Sequence, residues 1–156
     1  MLDVQLKTTG PQTVAYVSKH GPYAQIPEAM GQLYAWVAQH GLQPAGMPAG
    51  VYLEDPQTAD ANDARWEVRT PVVGDPPETE EPGDLGVKHL EPHLVASVMY
   101  RGVYENIAPT YGELGEWVAN HGYEVIGPPE ELYYSDPETT KPEDYLTEIR
   151  FPVAPH

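Results

Sequence analysis

The sequence predicts an internally duplicated α+β fold, (ββαββ) twice, with an antiparallel sheet, one long helix per copy on one face, and a ligand cleft between the copies. Three observations carry this. Shifted by 81 residues, Leu2 to Val73 aligns with Gly83 to Ala154 without a gap, with 27 identities in 72 positions. Each copy holds one run of helical periodicity between runs of strand alternation. The strand, helix, strand succession that a doubly wound parallel sheet needs is missing.

In the first copy, Val4 to Thr8 and Thr13 to Ser18 alternate as strands, with Gly10-Pro11 as the turn between them and Pro92 repeating that turn in the second copy. His20-Gly-Pro-Tyr23 leads into a helix from about Pro27 to His40, because proline suits a first helical turn and Gly41 suits the stop. Ile26, Met30, Leu33 and Val37 make its buried stripe, matched by Ile107, Tyr111, Leu114 and Val118. Gly41 to Gly50 reads as a loop and Val51 to Glu54 as a strand. Asp55-Pro56 opens an acidic loop, and Arg65 to Val72 is the closing strand. Gly74 to Pro82, rich in proline and acid, is an extended linker between repeat 2–73 and repeat 83–154. Copies this short are expected to pack as one domain, 1–156.

A formal charge of −16 from 24 acidic and 8 basic residues excludes direct nucleic-acid binding, which needs clustered Lys and Arg, and disfavours anionic membranes. It favours attraction of a cationic ligand as well as solubility. Without cysteine there is no disulfide, thiolate nucleophile or cysteine zinc site. The chain opens without a signal peptide and has no apolar run of membrane-spanning length, so a cytoplasmic protein is expected. His40 and His121 end helices and are structural; His89 and His93 lack a helical metal pattern, so no metal and no cofactor are implied. No phosphate loop, dinucleotide fingerprint or nucleophile elbow occurs.

The strands Trp66 to Val72 and Tyr145 to Val153 are near copies, and their alternation sets Glu67, Arg69, Glu148 and Arg150 on one face and Val68 and Ile149 on the other. Helices covering the second face leave the carboxylates on the first, where Tyr52, Tyr133 and Glu131 are expected to join them. Glu148 then either pairs with a ligand cation, acts as general acid or base with a pKa raised by burial, or simply pairs with Arg150. Tyr23 and Tyr104 are placed to cap the groove or staple the loop into the helix. Trp36 and Trp117 lie at the edge of the helix stripe, with at least one in the core. Trp66, Tyr134 and Tyr145 differ between the copies and give the cleft its asymmetry.

His20-Gly-Pro-Tyr23, the Trp36 helix ending in His40-Gly41, the Tyr52 to Pro56 strand and turn, and the Glu67 to Val72 strand, all echoed in the second copy, resemble the GyrI-like (gyrase-inhibitor-like) effector-binding domain. The resemblance implies a duplicated α+β sheet whose cleft binds small, often cationic and aromatic, molecules for drug sensing or sequestration. Some family members are attached to transcription activators; others stand alone and hydrolyse cyclopropane-containing genotoxins, or are linked to protection of gyrase. With Met1 starting directly in the first copy, a stand-alone binder is expected. It senses only through a separate protein partner, a regulator or gyrase, and is a monomer or homodimer. The family's cleft carboxylate carries over to Glu148, with Glu67 and Glu131 as alternatives. Ligand contacts fall to Tyr133, Tyr52, Tyr23, Tyr104, Trp117, Trp66 and Tyr145. In the hydrolase alternative, Glu148 activates water and Tyr133 assists.

Overall fold

The computed structural model describes residues 3–22, 25–53, 64–74, 85–103, 106–135 and 139–156. Tyr23, Tyr104, most of the expected acidic loop with its Asp55-Pro56 turn, and the linker after Gly74 lie outside the described residues. The chain folds as two compact units that do not coincide with the sequence repeats. An N-terminal unit spans Pro11–Glu91, and a C-terminal unit joins Met1–Gly10 to Pro92–His156.

In chain order the strands and helices are β1 (Gln5–Thr8), β2 (Gln12–His20), α1 (Ile26–Gln39), β3 (Gln43–Pro44), β4 (Ala49–Tyr52), β5 (Arg65–Val73), β6 (Leu85–Leu90), β7 (Leu94–Arg101), α2 (Ala108–Asn120), β8 (Tyr123–Val125), β9 (Glu130–Tyr133) and β10 (Leu146–Pro155). The N-terminal unit is an antiparallel sheet ordered β4-β5-β2-β6, with β3 on the far end of β5. The C-terminal unit repeats it as β9-β10-β7-β1, with β8 on β10.

The first strand of each repeat is therefore exchanged. β1 pairs β7 rather than β2, so Gly10-Pro11 is a crossing from one unit to the other and not the turn of a hairpin. Alternation explains how the exchange is held. Val4, just before β1, and Leu6 within it share one face, where Val4 packs on the core of the C-terminal unit, and β6 supplies Leu85 and Val87 to the core of the other. The residue that alternates with these in each strand, Lys7 or Lys88, lands on the opposite face.

Each helix covers one face of its own sheet. Leu33 and Val37 of α1 pack on Ala15, Val17 and Val68; Leu114 and Val118 of α2 pack on Ala96, Val98 and Ile149. Leu33 and Leu114 are both fully buried, which stabilises the fold by roughly 2 kcal/mol each. The expected stripe is observed, and Trp36 joins the core while Trp117 is only half-buried. Both helices stop alike. His40 Nδ1 donates to the Trp36 carbonyl at 2.9 Å and His121 Nδ1 to the Trp117 carbonyl at 2.8 Å, each ring stacked on that tryptophan. Gly41 and Gly122 then turn the chain at φ +72° and +81°, a region that penalises side chains. No described helix is long and apolar enough to cross a membrane.

Candidate functional site

The two repeated glutamates lie on the face of their sheets opposite the helices, and both are buried. In the N-terminal unit, Ser18 Oγ and Lys88 Nζ each reach Glu67 Oε1 at 2.9 Å, and Arg69 Nε donates to Oε2. Lys88 also stands 4.5 Å over the ring of Tyr16. In the C-terminal unit, Glu148 Oε2 accepts from Ser97 Oγ at 2.8 Å, Lys7 Nζ at 2.8 Å and Arg150 Nε at 2.5 Å. Its Oε1 accepts from the Tyr134 hydroxyl at 2.5 Å. Four of the eight basic residues of the chain, Lys7, Arg69, Lys88 and Arg150, hold these two carboxylates.

Burial alone raises a carboxyl pKa, and for Glu148 it is the largest single influence. The bonds from Lys7, Tyr134, Arg150 and Ser97 together outweigh it and hold the group at about 2. Glu67 is likewise lowered, burial being overcome by Arg69 and Lys88. The expectation that burial lifts Glu148 into the neutral range is thus reversed. A carboxylate so held is a weak proton acceptor. Tyr134 is pushed up to about 12, by burial and then by the bond to Glu148 and its charge.

Strand register corrects a second expectation. Residues directly opposite in an antiparallel pair share a face. Glu131 faces Ile149 and Tyr133 faces Thr147, so both stand on the helix face, across the sheet from Glu148. Tyr52 faces Trp66 and stands on the helix face of the N-terminal unit, across from Glu67. Glu148 and Tyr133 therefore cannot act as a pair. Trp66 belongs to the core at 1% exposure, its indole donating to the Gly21 carbonyl at 3.0 Å. Trp117 packs on the core of the C-terminal unit. Tyr145 sits before β10, where its carbonyl accepts the Gly102 N–H at 2.8 Å.

What the helix face of the C-terminal unit does bring together is a second carboxylate among phenols. Glu131, 6% exposed, accepts a hydrogen bond from the Tyr111 hydroxyl of α2 at Oε2 and from Tyr133 at Oε1, the latter at 3.4 Å. Tyr111 also packs against Phe151, with ring centroids 5.7 Å apart. Thr147, across from Tyr133 and from Tyr100, is fully buried, and its hydroxyl has no hydrogen-bond partner among the described residues. Sequence reasoning read Tyr111 only as a stripe residue and missed Thr147. The available signal was difference between the repeats: the counterparts of Tyr111, Glu131 and Thr147 are Met30, Gly50 and Trp66. Among the described residues no group of three His, Cys, Asp or Glu is placed to hold a metal ion.

The pattern of the GyrI-like small molecule binding domain matches residues 2–154. The chain belongs to that family. None of the curated proteins matches this GyrI-like chain. Among solved structures, the EcmrR C-terminal domain superposes with a TM-score of 0.85 at 19% identity, covering 100% of this chain and 99% of that one. EcmrR in its complex with DNA gives 0.84 at 19%, and there this chain spans 58% of the other. A hydrolase from Listeria innocua gives 0.70 at 15%, covering 97% and 91%. SAV2435 bound to tetraphenylphosphonium gives 0.55 at 17%, covering 98% and 94%. At these identities the likeness is one of fold.

Proposed function

We propose that this GyrI-like domain binds lipophilic aromatic compounds, cations among them, on the helix face of its C-terminal unit. Glu131 is the carboxylate, and Tyr111 and Tyr133 are the walls. The observation that carries this is the Glu131 carboxyl, buried and accepting hydrogen bonds from the hydroxyls of Tyr111 and Tyr133. Desolvation strengthens its pull on a cation, and the ring faces favour the same charge. The acidic surface of a chain with net charge −16 adds attraction at longer range. The family is one of small-molecule binders, and a relative of this fold has been seen with tetraphenylphosphonium, a lipophilic cation.

Glu148 is a poor choice for the same role, because Lys7 and Arg150 already occupy it. As general base for hydrolysis it is no better, since it is held at about 2.

The test is titration with tetraphenylphosphonium and with neutral triphenylphosphine oxide. Glu131→Gln is expected to weaken the cation by about thirtyfold or more, and the neutral compound by less than about threefold. Equal loss for both would overturn the electrostatic reading. Unchanged binding of both would remove Glu131 from the site.

A further inference from the structure

Thr147 is the residue that this reading of the site leaves unexplained. Its hydroxyl is buried without a partner among the described residues, a state that costs about 1 to 3 kcal/mol relative to a satisfied one. It stands directly across from Tyr133, and Tyr133 lies two residues from Glu131 on the same face of the same strand. Thr147 and Glu131 are thus diagonal neighbours across β9 and β10, within about 7 to 8 Å at the backbone. Tyr133 neighbours both, and its hydroxyl is bound to Glu131 at only 3.4 Å.

We infer that Thr147 Oγ1 is a ligand contact of the Glu131 site and that the site prefers a protonated primary or secondary amine on an aromatic body over a quaternary onium. The inference rests on the proposed role of Glu131. An ammonium that replaces the weak Tyr133 bond can donate one N–H to the Glu131 carboxylate and another to Thr147 Oγ1. This satisfies both groups. A quaternary centre carries the same charge but has no N–H, so it pairs with Glu131 and leaves Thr147 as it is. No such discrimination is available at the matching place in the N-terminal unit, where Trp66 and Gly50 stand for Thr147 and Glu131.

The experiment uses a matched pair, 1-naphthylmethylammonium and 1-naphthylmethyl-trimethylammonium, titrated calorimetrically into the full chain and into three variants. The parent protein is expected to favour the primary ammonium by about three- to tenfold, the worth of one added hydrogen bond. Thr147→Val, which keeps the shape and loses the hydroxyl, is expected to abolish the preference while leaving the trimethylammonium affinity unchanged; Thr147→Ser is expected to retain it. Glu131→Gln is expected to weaken both probes.

If Glu131→Gln weakens both and Thr147→Val leaves the preference intact, the inference about Thr147 fails and the reading of Glu131 stands. If Glu131→Gln changes neither, or neither probe binds the parent, the reading of Glu131 fails and the inference with it.

Discussion

The two units are built to one plan on the sheet faces that carry Glu67 and Glu148 and to different plans under their helices. On the faces away from the helices Glu67 and Glu148 have the same company: an arginine two residues on, a lysine from the exchanged strand, and a serine from the adjacent strand. Even the serine is reached differently, Ser18 standing where the other repeat has Met99, and Ser97 where it has Tyr16. The interaction is kept although the position has moved. Under the helices the N-terminal unit has Met30, Gly50 and Trp66, an apolar packing, where the C-terminal unit has Tyr111, Glu131 and Thr147. What the repeats share therefore holds the exchanged strands in place. What they do not share is where a ligand site can have arisen.

The largest test of that division is removal of the shared glutamates. Glu148→Gln leaves Lys7 and Arg150 facing each other without their counter-charge and is expected to cost about 3 kcal/mol in denaturant unfolding. Glu67→Gln, with no equivalent of the Tyr134 bond, is expected to cost less. Acid should act in the same direction. A carboxyl held at about 2 instead of 4.5 represents on the order of 3 kcal/mol of folding free energy. Because the folded value lies below the unfolded one, that contribution is complete above about pH 5 and is lost as pH falls towards 2. The Glu148→Gln variant should show a flatter acid limb. If it unfolds at the parental denaturant concentration and with the parental acid limb, the glutamate is not structural and the comparison fails.

The fold was legible in the sequence because burial leaves periodic marks: Leu33 and Val37, Leu114 and Val118, and Val68 and Ile149 could be assigned to an interior by spacing alone. The strand exchange was not legible. Val4 and Leu6 alternate equally well for β2 or β7, and only the pairing register decides. The same gap misplaced Tyr52, Tyr133 and Glu131. Alternation within one strand says which residues share a face, but relating that face to a neighbouring strand needs the register. Glu148 was singled out because it recurs. Recurrence in a duplicated chain marks what both halves need, and here both need a lysine and an arginine as counter-charges to a buried glutamate.

A smaller effect separates the buried threonines. Thr70 and Thr147 are each fully buried with no hydroxyl partner among the described residues, and they stand where the other repeat has Phe151 and Trp66. Removing such a hydroxyl without changing shape should stabilise, by about 1 kcal/mol or less, so Thr70→Val and Thr147→Val are both expected to raise the melting temperature slightly. Only Thr147→Val is expected to alter ligand choice. A gain in stability at Thr147 bought with no change in binding would make the two threonines equivalent and return Thr147 to the core.

The smallest expected effect concerns Tyr134, the one donor to Glu148 that Glu67 lacks, since its counterpart in the other repeat is Leu53. Tyr134 is 39% exposed, so Tyr134→Phe should cost no more than about 1 kcal/mol, well below the loss at Glu148. Its signature is in base rather than acid. The phenol is held at about 12 against an ordinary 10, so the folded chain keeps a proton that the unfolded chain releases. The associated stability is present below about pH 10 and is lost as pH rises towards 12. In Tyr134→Phe that part of the alkaline decline should disappear while the acid limb set by Glu148 remains. An unchanged alkaline limb would mean that the hydroxyl does not hold Glu148, and would remove this difference between Glu148 and Glu67.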